Sequence, residues 1–386
     1  MHRVRTWAEN NLKGDPVIWS IVIALAMISI FVVYSATGAL AYRNMESIEH
    51  YLFKHTALII LSLGAMYVAH KIDYRYYSRL SKVGLWISVP LLLYAWKAGI
   101  NLNDASRWIT IPIIDQVFQP SDLAKLSLIA GLASMLSKRQ QNIDDFQKAL
   151  VPMLLWTGAI CGLIAMADLS TAVLLFLTSM LLMFIGRVPV KYLAMLIIVG
   201  GLTGVVAMKI GQRGDTAISR VTSFMSDERL PFQAEQARIA IASGGVVGKG
   251  PGQSDQRNFL PHPYSDFVYA IIIEEYGLIG GSIVLVLYLA LLYRGMRTVA
   301  NSERAFGGLL SAGLAFSLVL QAMVNMGVVV GLGPITGLPL PFLSMGGTSL
   351  LFTGLSLGII LSVSRGEVDS EWNAMNSDIK NVIKTA

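Results

Sequence analysis

The stretch 305–364 runs for sixty residues without a single Asp, Glu, Lys, Arg or His. About 20 apolar residues cross the hydrocarbon of a bilayer, so this stretch can hold two crossings and a turn. The turn is legible as "GLGPITGLPLPFLSMGG", 331–347, where glycines and prolines interrupt the apolar pattern. The stretches 16–42, 149–167, 169–186 and 192–208 lack the same five residue types. Overall, 14% of the chain is charged and 54% hydrophobic, with mean hydropathy +0.59. Soluble domains carry about 25% charged residues, so this is the composition of a membrane protein.

Ten spans are expected, approximately at 17–36, 52–69, 83–98, 122–137, 149–167, 169–186, 190–208, 267–293, 305–327 and 347–364. The fold class is therefore an all-α polytopic membrane protein, with 1–386 forming one integral membrane domain. The N-terminal "MHRVRTWAENNLKGD" is basic, but the apolar run behind it is too long for a signal-peptide core and lacks a convincing cleavage site; it reads as a retained first helix. With the N-terminus inside, Arg3, Arg5, Lys13, Lys71, Arg75, Arg79, Lys82, Lys138, Arg139, Lys148, Arg187, Lys191, Arg294, Arg297, Arg304, Arg365, Lys380 and Lys384 all face the cytoplasm. That is the positive-inside pattern, and it makes both termini cytoplasmic, with 366–386 as a tail. The net charge of +6 and pI near 9.3 follow from this asymmetry rather than from nucleic-acid binding. The one cysteine, Cys161, lies in an apolar run, which excludes disulfides and metal–thiolate sites.

One connection is too long to be idle: 209–266, between the seventh and eighth spans on the outer face. Inside it, "PFQAEQARIAIASGG" places Pro231 at a first helical position and stops at Gly244 and Gly245, the signals of a short helix. Chemistry is thus expected on the outer face. Four places set ionisable groups at or inside the membrane boundary, where they are expensive and usually functional. In "ASRWITI…QPSDLAKL", Arg107 and Trp108 lie in an outer loop, while Asp122 and Lys125 share a face at the start of the fourth span. The plainer reading there is a Ser121 cap and an internal ion pair. Asp168, in "MADLSTA", is the lone charge of 149–186 and sits at a hairpin tip, where a helix cap is the alternative.

The third place, "ASGGVVGKGPGQ", offers glycine N–H groups and Lys249 to an anion. It is no nucleotide P-loop, because Ser243 and Gly250 stand where that pattern needs Gly and Ser or Thr; a flexible turn is the alternative. The fourth, "FLPHPYSDFVYA", holds Asp266 where a polar loop becomes an apolar helix. An N-cap is the ordinary use of such an aspartate. Against it, Ser265 could cap alone, and Pro261 and Pro263 stiffen the approach as if to hold a position. Glu274 and Glu275 follow about two turns deeper. His262 reads as a surface residue rather than a ligand.

These stretches resemble the SEDS proteins (shape, elongation, division and sporulation) of bacterial cell-wall synthesis, over nearly the whole chain. The family pattern RW[IL]…QPSELAK is met by Arg107, Trp108 and "QPSDLAK", 119–125, and QPDLGTA loosely by "MADLSTA", 166–172. The pattern YQ…Q…IAIGSGGLFGKG is similar to "FQAEQARIAIASGGVVGKG", which carries Gln233, Gln236, Arg238 and Lys249. LPExxTDFIFAVIGEE is similar to "LPHPYSDFVYAIIIEE", with Ser265 and Asp266, and GLLPVTGxPLPFxSYGGSS to "GLGPITGLPLPFLSMGGTS", with Ser344. Departures are Asp122 for Glu, Ser265 for Thr, Met345 for Tyr, Ser170 for Gly, and His262 for an acid. The segment 101–125 and the short tails lean toward the division branch of the family rather than the elongation branch.

The resemblance implies a peptidoglycan glycosyltransferase acting on lipid II, with Asp266 as the base and inversion at the sugar carbon. Arg107, Lys125, Arg238 and Lys249 are the candidate cations for the pyrophosphate, and a divalent cation such as Mg2+ is a further candidate there. Trp108, Asp122, Asp168, Gln233, Gln236, Ser265 and Ser344 complete the expected substrate-binding set. Implied partners are the undecaprenyl-linked glycan, a class B penicillin-binding protein transpeptidase, other divisome or elongasome membrane proteins, and membrane lipids, with no nucleic acid. The implied location is the bacterial inner membrane at the division septum, with the active site outside. A flippase of lipid-linked precursors is the rival, because intramembrane charges and the break at 331–347 suit alternating access. Against it, no clear repeat relates the halves, and the functional-looking residues crowd one face. A scaffold that only docks partners is a third reading.

Overall fold

The computed structural model describes residues 12–102, 105–111, 116–143, 145–210, 214–225, 231–302 and 304–365. Arg3, Arg5, Lys380, Lys384 and the tail 366–386 lie outside the described residues. The helices are α1 (Pro16–Ala36), α2 (Gly38–Asn44), α3 (Ile48–Lys71), α4 (Tyr77–Ala98), α5 (Pro120–Lys138), α6 (Val151–Ala165) and α7 (Leu169–Ile185). They continue as α8 (Val190–Ile210), α9 (Gly214–Met225), α10 (Phe232–Gly244), α11 (Val268–Asn301), α12 (Ala305–Val329) and α13 (Thr348–Arg365). A helix lies on each of the ten segments expected to span.

Six helical stretches among the described residues are long and apolar enough to cross a membrane: Pro16–Ala36, Ile48–Lys71, Phe146–Ala165, Val268–Val299, Ala305–Val329 and Thr348–Arg365. The helix α7 and the Val190–Val205 part of α8 are shorter apolar helices. The bundle wears its apolar residues outward: Phe31 is 65% exposed, Trp86 70% and Ile198 65%. A surface of that kind calls for lipid rather than water around it.

The centre of the bundle is α12, packed on α11, α5 and α7, with α4 against α5 and α1 against α11. Its core joins Leu128 and Leu132 of α5, Leu310 and Leu314 of α12, and Tyr288 of α11. Asp15 caps α1 through Val17 N (2.9 Å) and pairs with Arg294 of α11, while its N–H donates to Ser364 Oγ (3.0 Å). The two ends of the described chain are thereby tied together.

The expectation of an all-α chain is corrected in one place. Strands β1 (Ile100–Leu102), β2 (Ala105–Ile111) and β3 (Gln116–Phe118) form an antiparallel sheet in the order β1-β2-β3, with Ile109 opposite Phe118. The run Trp108-Ile-Thr-Ile is β-branched and aromatic, and such residues favour a pleated surface. The loop 209–266 contains α9, which the sequence reading passed over, as well as the expected short helix α10, for which Pro231 is the N-cap rather than the first helical residue.

Helix α11 is broken at Gly277 (φ 68°, ψ −172°). The glycine-rich turn after α10 is stitched into that break: Leu278 N donates to Gly245 O (3.0 Å) and Ile279 N to Val246 O (3.2 Å). A Cβ at position 277 would stand 2.1 Å from Val246 O, so only glycine lets the two backbones meet.

Candidate active site

Helix α11 begins at Val268 with Phe267 as its N-cap, and no side chain makes a capping bond. The cap reading of Ser265 and Asp266 is therefore not what this helix uses. Ser265 Oγ instead donates to Asp266 Oδ1 (2.9 Å). Gly337, in the left-handed region at φ 68°, forms a wall beside the carboxylate: a Cβ there would lie 3.5 Å from Asp266 Oδ2 and 4.0 Å from Arg220 Nη1. Arg220 comes from α9, is half-buried, and donates from Nη1 to Ile335 O (3.2 Å).

Burial pushes the Asp266 carboxyl above its ordinary range, opposed by the Ser265 hydrogen bond and the charges of His262, Arg107 and Arg220. Burial pulls Arg220 down in turn, with Asp266 and Asp168 acting against that pull and Arg107 adding to it. The chain thus gathers two acids and two guanidiniums from β2, α9, the start of α7 and the approach to α11.

The main chain around Asp266 is held from behind. Asn325 Nδ2, in α12, donates to Asp266 O (2.8 Å) and Leu338 O (2.7 Å). Ser344 Oγ donates to Ser265 O (2.6 Å) and accepts from Leu340 N (2.8 Å), and Met345 N donates to Tyr264 O (2.8 Å). The segment 338–345 is itself clamped from three helices. Gln321 Nε2 of α12 reaches Pro339 O (2.8 Å), Tyr288 Oη of α11 reaches Pro341 O, and Ser29 Oγ of α1 reaches Leu343 O (3.0 Å). Because the Ser29 hydroxyl proton goes to Leu343 O, His55 Nε2, 2.8 Å from Ser29 Oγ, is the donor to that hydroxyl oxygen. These bonds sustain Phe342 at φ 66°, a left-handed conformation that a bulky residue adopts only under constraint.

Arg107 pairs with Asp168 Oδ2 and lies over the Trp108 ring, its Cζ 5.1 Å from the centroid, while its buried Nε has no protein partner. Asp168 does cap α7, accepting from Thr171 N (3.1 Å) and Thr171 Oγ1 (2.9 Å). A cleft of about 320 Å³ opens beside these charges. Asp168, Arg220 and Thr336 give it a polar end, and Val173, Leu177 and Val324 give it an apolar wall.

The other expected site residues fall elsewhere. Asp122 and Lys125 pair on α5 (2.8 Å), with Asp122 buried and its Oδ2 unpartnered. The N-cap of α5 is Gln119, not Ser121; Ser121 Oγ accepts from Gln119 Nε2 (2.9 Å). Gln233 and Gln236 are half-buried on α10, and the guanidinium of the exposed Arg238 packs against Gly331.

The anion nest expected around Lys249 is corrected. Gly248 N donates to Gly244 O (2.8 Å), Lys249 N to Glu274 O (2.9 Å) and Gly250 N to Glu275 O (2.9 Å), so these donors serve the fold. Lys249 Nζ is taken by Glu274 (2.7 Å) and Asp255 (2.9 Å). His262 sits at φ 56°, with Nδ1 3.1 Å from Tyr264 Oη.

Three residues at the site escaped the sequence reading: Arg220, Asn325 and Gly337. Asn325 carried a signal, since it is one of two amides, with Gln321, in an otherwise apolar helix. Arg220 sits on an amphipathic helix hidden in a loop, and Gly337 is one glycine among many in the turn 331–347.

A bundle of helices that is apolar on its outer surface as well as in its core, with a cluster of charged residues beside Asp266, is an integral membrane protein. Residues 15–368 match the FtsW/RodA/SpoVE family of cell cycle proteins, and the chain belongs to that family. It is 33% identical over 365 residues to stage V sporulation protein E of Bacillus subtilis, spanning 92% of this chain and 98% of that one. It is also 33% identical over 363 residues to the probable peptidoglycan glycosyltransferase FtsW of Geobacter metallireducens, spanning 92% and 96%. Among solved structures, the fold is similar to a chain from a peptidoglycan synthase complex that coordinates polymerization and crosslinking (TM-score 0.73, 24% identity, 92% of this chain and 98% of that one). It is likewise similar to the rod shape determining protein RodA of Thermus thermophilus (TM-score 0.68, 24% identity, 93% and 99%).

Proposed function

We propose that this protein is a peptidoglycan glycosyltransferase that joins a lipid-linked glycan to lipid II with Asp266 as general base. The observation that carries the reading is the Asp266 carboxylate itself. It does no capping, it faces Arg107 and Arg220, and the residues beside it border a cleft whose far wall is apolar. A polyprenyl-linked sugar has the same division: a charged head at the membrane surface and a hydrocarbon tail. In the proposed reaction the acceptor's GlcNAc 4-hydroxyl attacks C1 of the donor MurNAc from the face opposite the pyrophosphate. Its proton passes to Asp266, the C1–O bond to the pyrophosphate breaks, and undecaprenyl pyrophosphate leaves with the electron pair. The α-linked donor gives a β-1,4 bond.

The raised proton affinity of Asp266 suits this role, because a base works best when its pKa approaches the working pH. Arg107 and Arg220 are the cations placed to offset the charge of the departing pyrophosphate. The donor set suits a magnesium ion poorly. Among the described residues no three His, Cys, Asp or Glu side chains cluster as ligands, and two guanidiniums already face Asp266. No step of the proposed reaction passes through a metal ion.

All ten long helices are proposed to cross the bacterial inner membrane, with both termini inside and the site on the outer face, in division-type synthesis at the septum. The elongation branch is the second choice. A class B penicillin-binding protein transpeptidase is the proposed partner, in keeping with the synthase complex that shares this fold. Purified protein with such a partner should convert lipid II to glycan chains in liposomes. Transbilayer movement of lipid II without polymer would sink the reading in favour of a flippase.

A further inference from the structure

We infer that Asn325 is a positioning residue for the transfer reaction, fixing the main chain of Asp266 and the wall beside its carboxylate in one rigid relation. The inference rests on the proposed role of Asp266. Asn325 lies near the C-terminal end of α12, 2% exposed, where a buried polar side chain in a membrane-spanning helix is costly and needs a reason. Its amide group bonds no neighbour on its own helix. Both of its N–H groups leave α12: one goes to Asp266 O (2.8 Å), the other to Leu338 O (2.7 Å).

Leu338 follows Gly337, the residue against which the Asp266 carboxylate rests. The two bonds therefore bracket the carboxylate, one at its own backbone and one beside its wall. Two carbonyls facing one side chain need a group with two N–H donors, and Asn is the shortest side chain that supplies both without a charge. Its Oδ1 has no protein donor, so the residue is held for what it donates. Ser344 and Met345 join the same two segments at Ser265 and Tyr264, yet Asn325 alone among the described residues bonds to Asp266 O.

A site of this kind depends on placement: an error of about 1 Å at the reacting group can cost about 100-fold. Leucine at 325 would fill similar space and donate nothing, leaving both carbonyls to recruit water beside the carboxylate. The charged groups facing that carboxylate are Arg107 of β2, Arg220 of α9 and His262 of its own loop, none of which the substitution touches.

Lipid II polymerisation by purified Asn325→Leu and Asn325→Ser, with the transpeptidase partner present, tests the inference beside Asp266→Asn. For Asn325→Leu, kcat per folded molecule should fall by between about tenfold and about 100-fold with KM unchanged. The acid limb of its pH–rate profile should move to lower pH, because water at the site relieves the burial that raises the carboxyl. Asn325→Ser keeps one donor and should fall between the wild type and Asn325→Leu; if Asn325→Leu does not accumulate, Asn325→Ser alone carries the reading. Wild-type turnover, or a loss with the acid limb unmoved, overturns the positioning role while an inactive Asp266→Asn leaves the catalytic reading standing. An active Asp266→Asn sinks both.

Discussion

Lys249 Nζ lies 2.7 Å from Glu274 Oε1, joining the glycine-rich turn after α10 to a carboxylate that is wholly buried in α11. Ser254 Oγ, Asp255 N and Gln256 N bond to the same carboxylate, so Glu274 gathers the turn just ahead of the Gly277 break. Breaking a buried pair from one side leaves an uncompensated charge and typically costs about 3–5 kcal/mol. Lys249 is partly exposed, so the lower end applies. Lys249→Met should thus lower the melting temperature of the purified protein, and the double variant Lys249→Met/Glu274→Gln should recover part of the loss. If Lys249→Met instead raised KM for lipid II at unchanged stability, Lys249 would be a substrate cation after all.

Asp266→Asn separates chemistry from architecture. Asparagine keeps the size of the side chain and can still accept from Ser265, while the Asn325 and Ser344 bonds run to backbone carbonyls that the substitution leaves in place. Membrane level, partner binding and melting temperature should match the wild type. Glycan synthesis should fall by about 10²–10⁴-fold, the usual worth of general-base catalysis. Near-normal polymerisation would remove Asp266 from the mechanism.

The orientation is tested by chemistry at two positions. A cysteine placed at the exposed Gln253, beside the glycine-rich turn, should react with an impermeant thiol reagent in intact spheroplasts, whereas one at the exposed Arg79 of α4 should not. Cys161 is buried and should contribute no background. Labelling of position 253 only after permeabilisation would place the candidate site on the cytoplasmic side.

Much of this was legible before the fold was known, because a membrane makes helices announce themselves: the long uncharged runs became α1, α6, α12 and α13. Asp266 was legible too, since a carboxylate at the edge of an apolar run is conspicuous. Other features depend on partners distant in sequence. The sheet that presents Arg107 was hidden in a short, mixed connection. Whether Asp168 or Asp266 acts as a helix cap turned on main-chain torsions rather than residue type, and the two came out opposite. The glycine turn looked like an anion nest, but the N–H groups of Gly248, Lys249 and Gly250 are spent on α10 and α11. Arg220 reaches the site only because α9 folds back over it.

The last prediction concerns the balance of charge at Asp266. Burial raises its pKa above the ordinary 3.8, while Arg107 and Arg220 hold it down. A base must be deprotonated to act, so activity should be full above this raised pKa and be lost as pH falls through it, at a higher pH than an ordinary carboxylate would give. Arg220→Gln removes one of the restraining cations and frees Ile335 O from its Nη1 bond. With that cation gone the charged carboxylate is less stable, the pKa rises further, and the acid limb of the kcat profile should move to higher pH. This is the opposite direction from the shift expected for Asn325→Leu. The affinity for lipid II should weaken in the same variant if Arg220 also meets the pyrophosphate. A limb that stays in place on loss of Arg220 would mean that the guanidinium and the carboxylate are not coupled in the working enzyme, and Arg107 would then be the cation to test next.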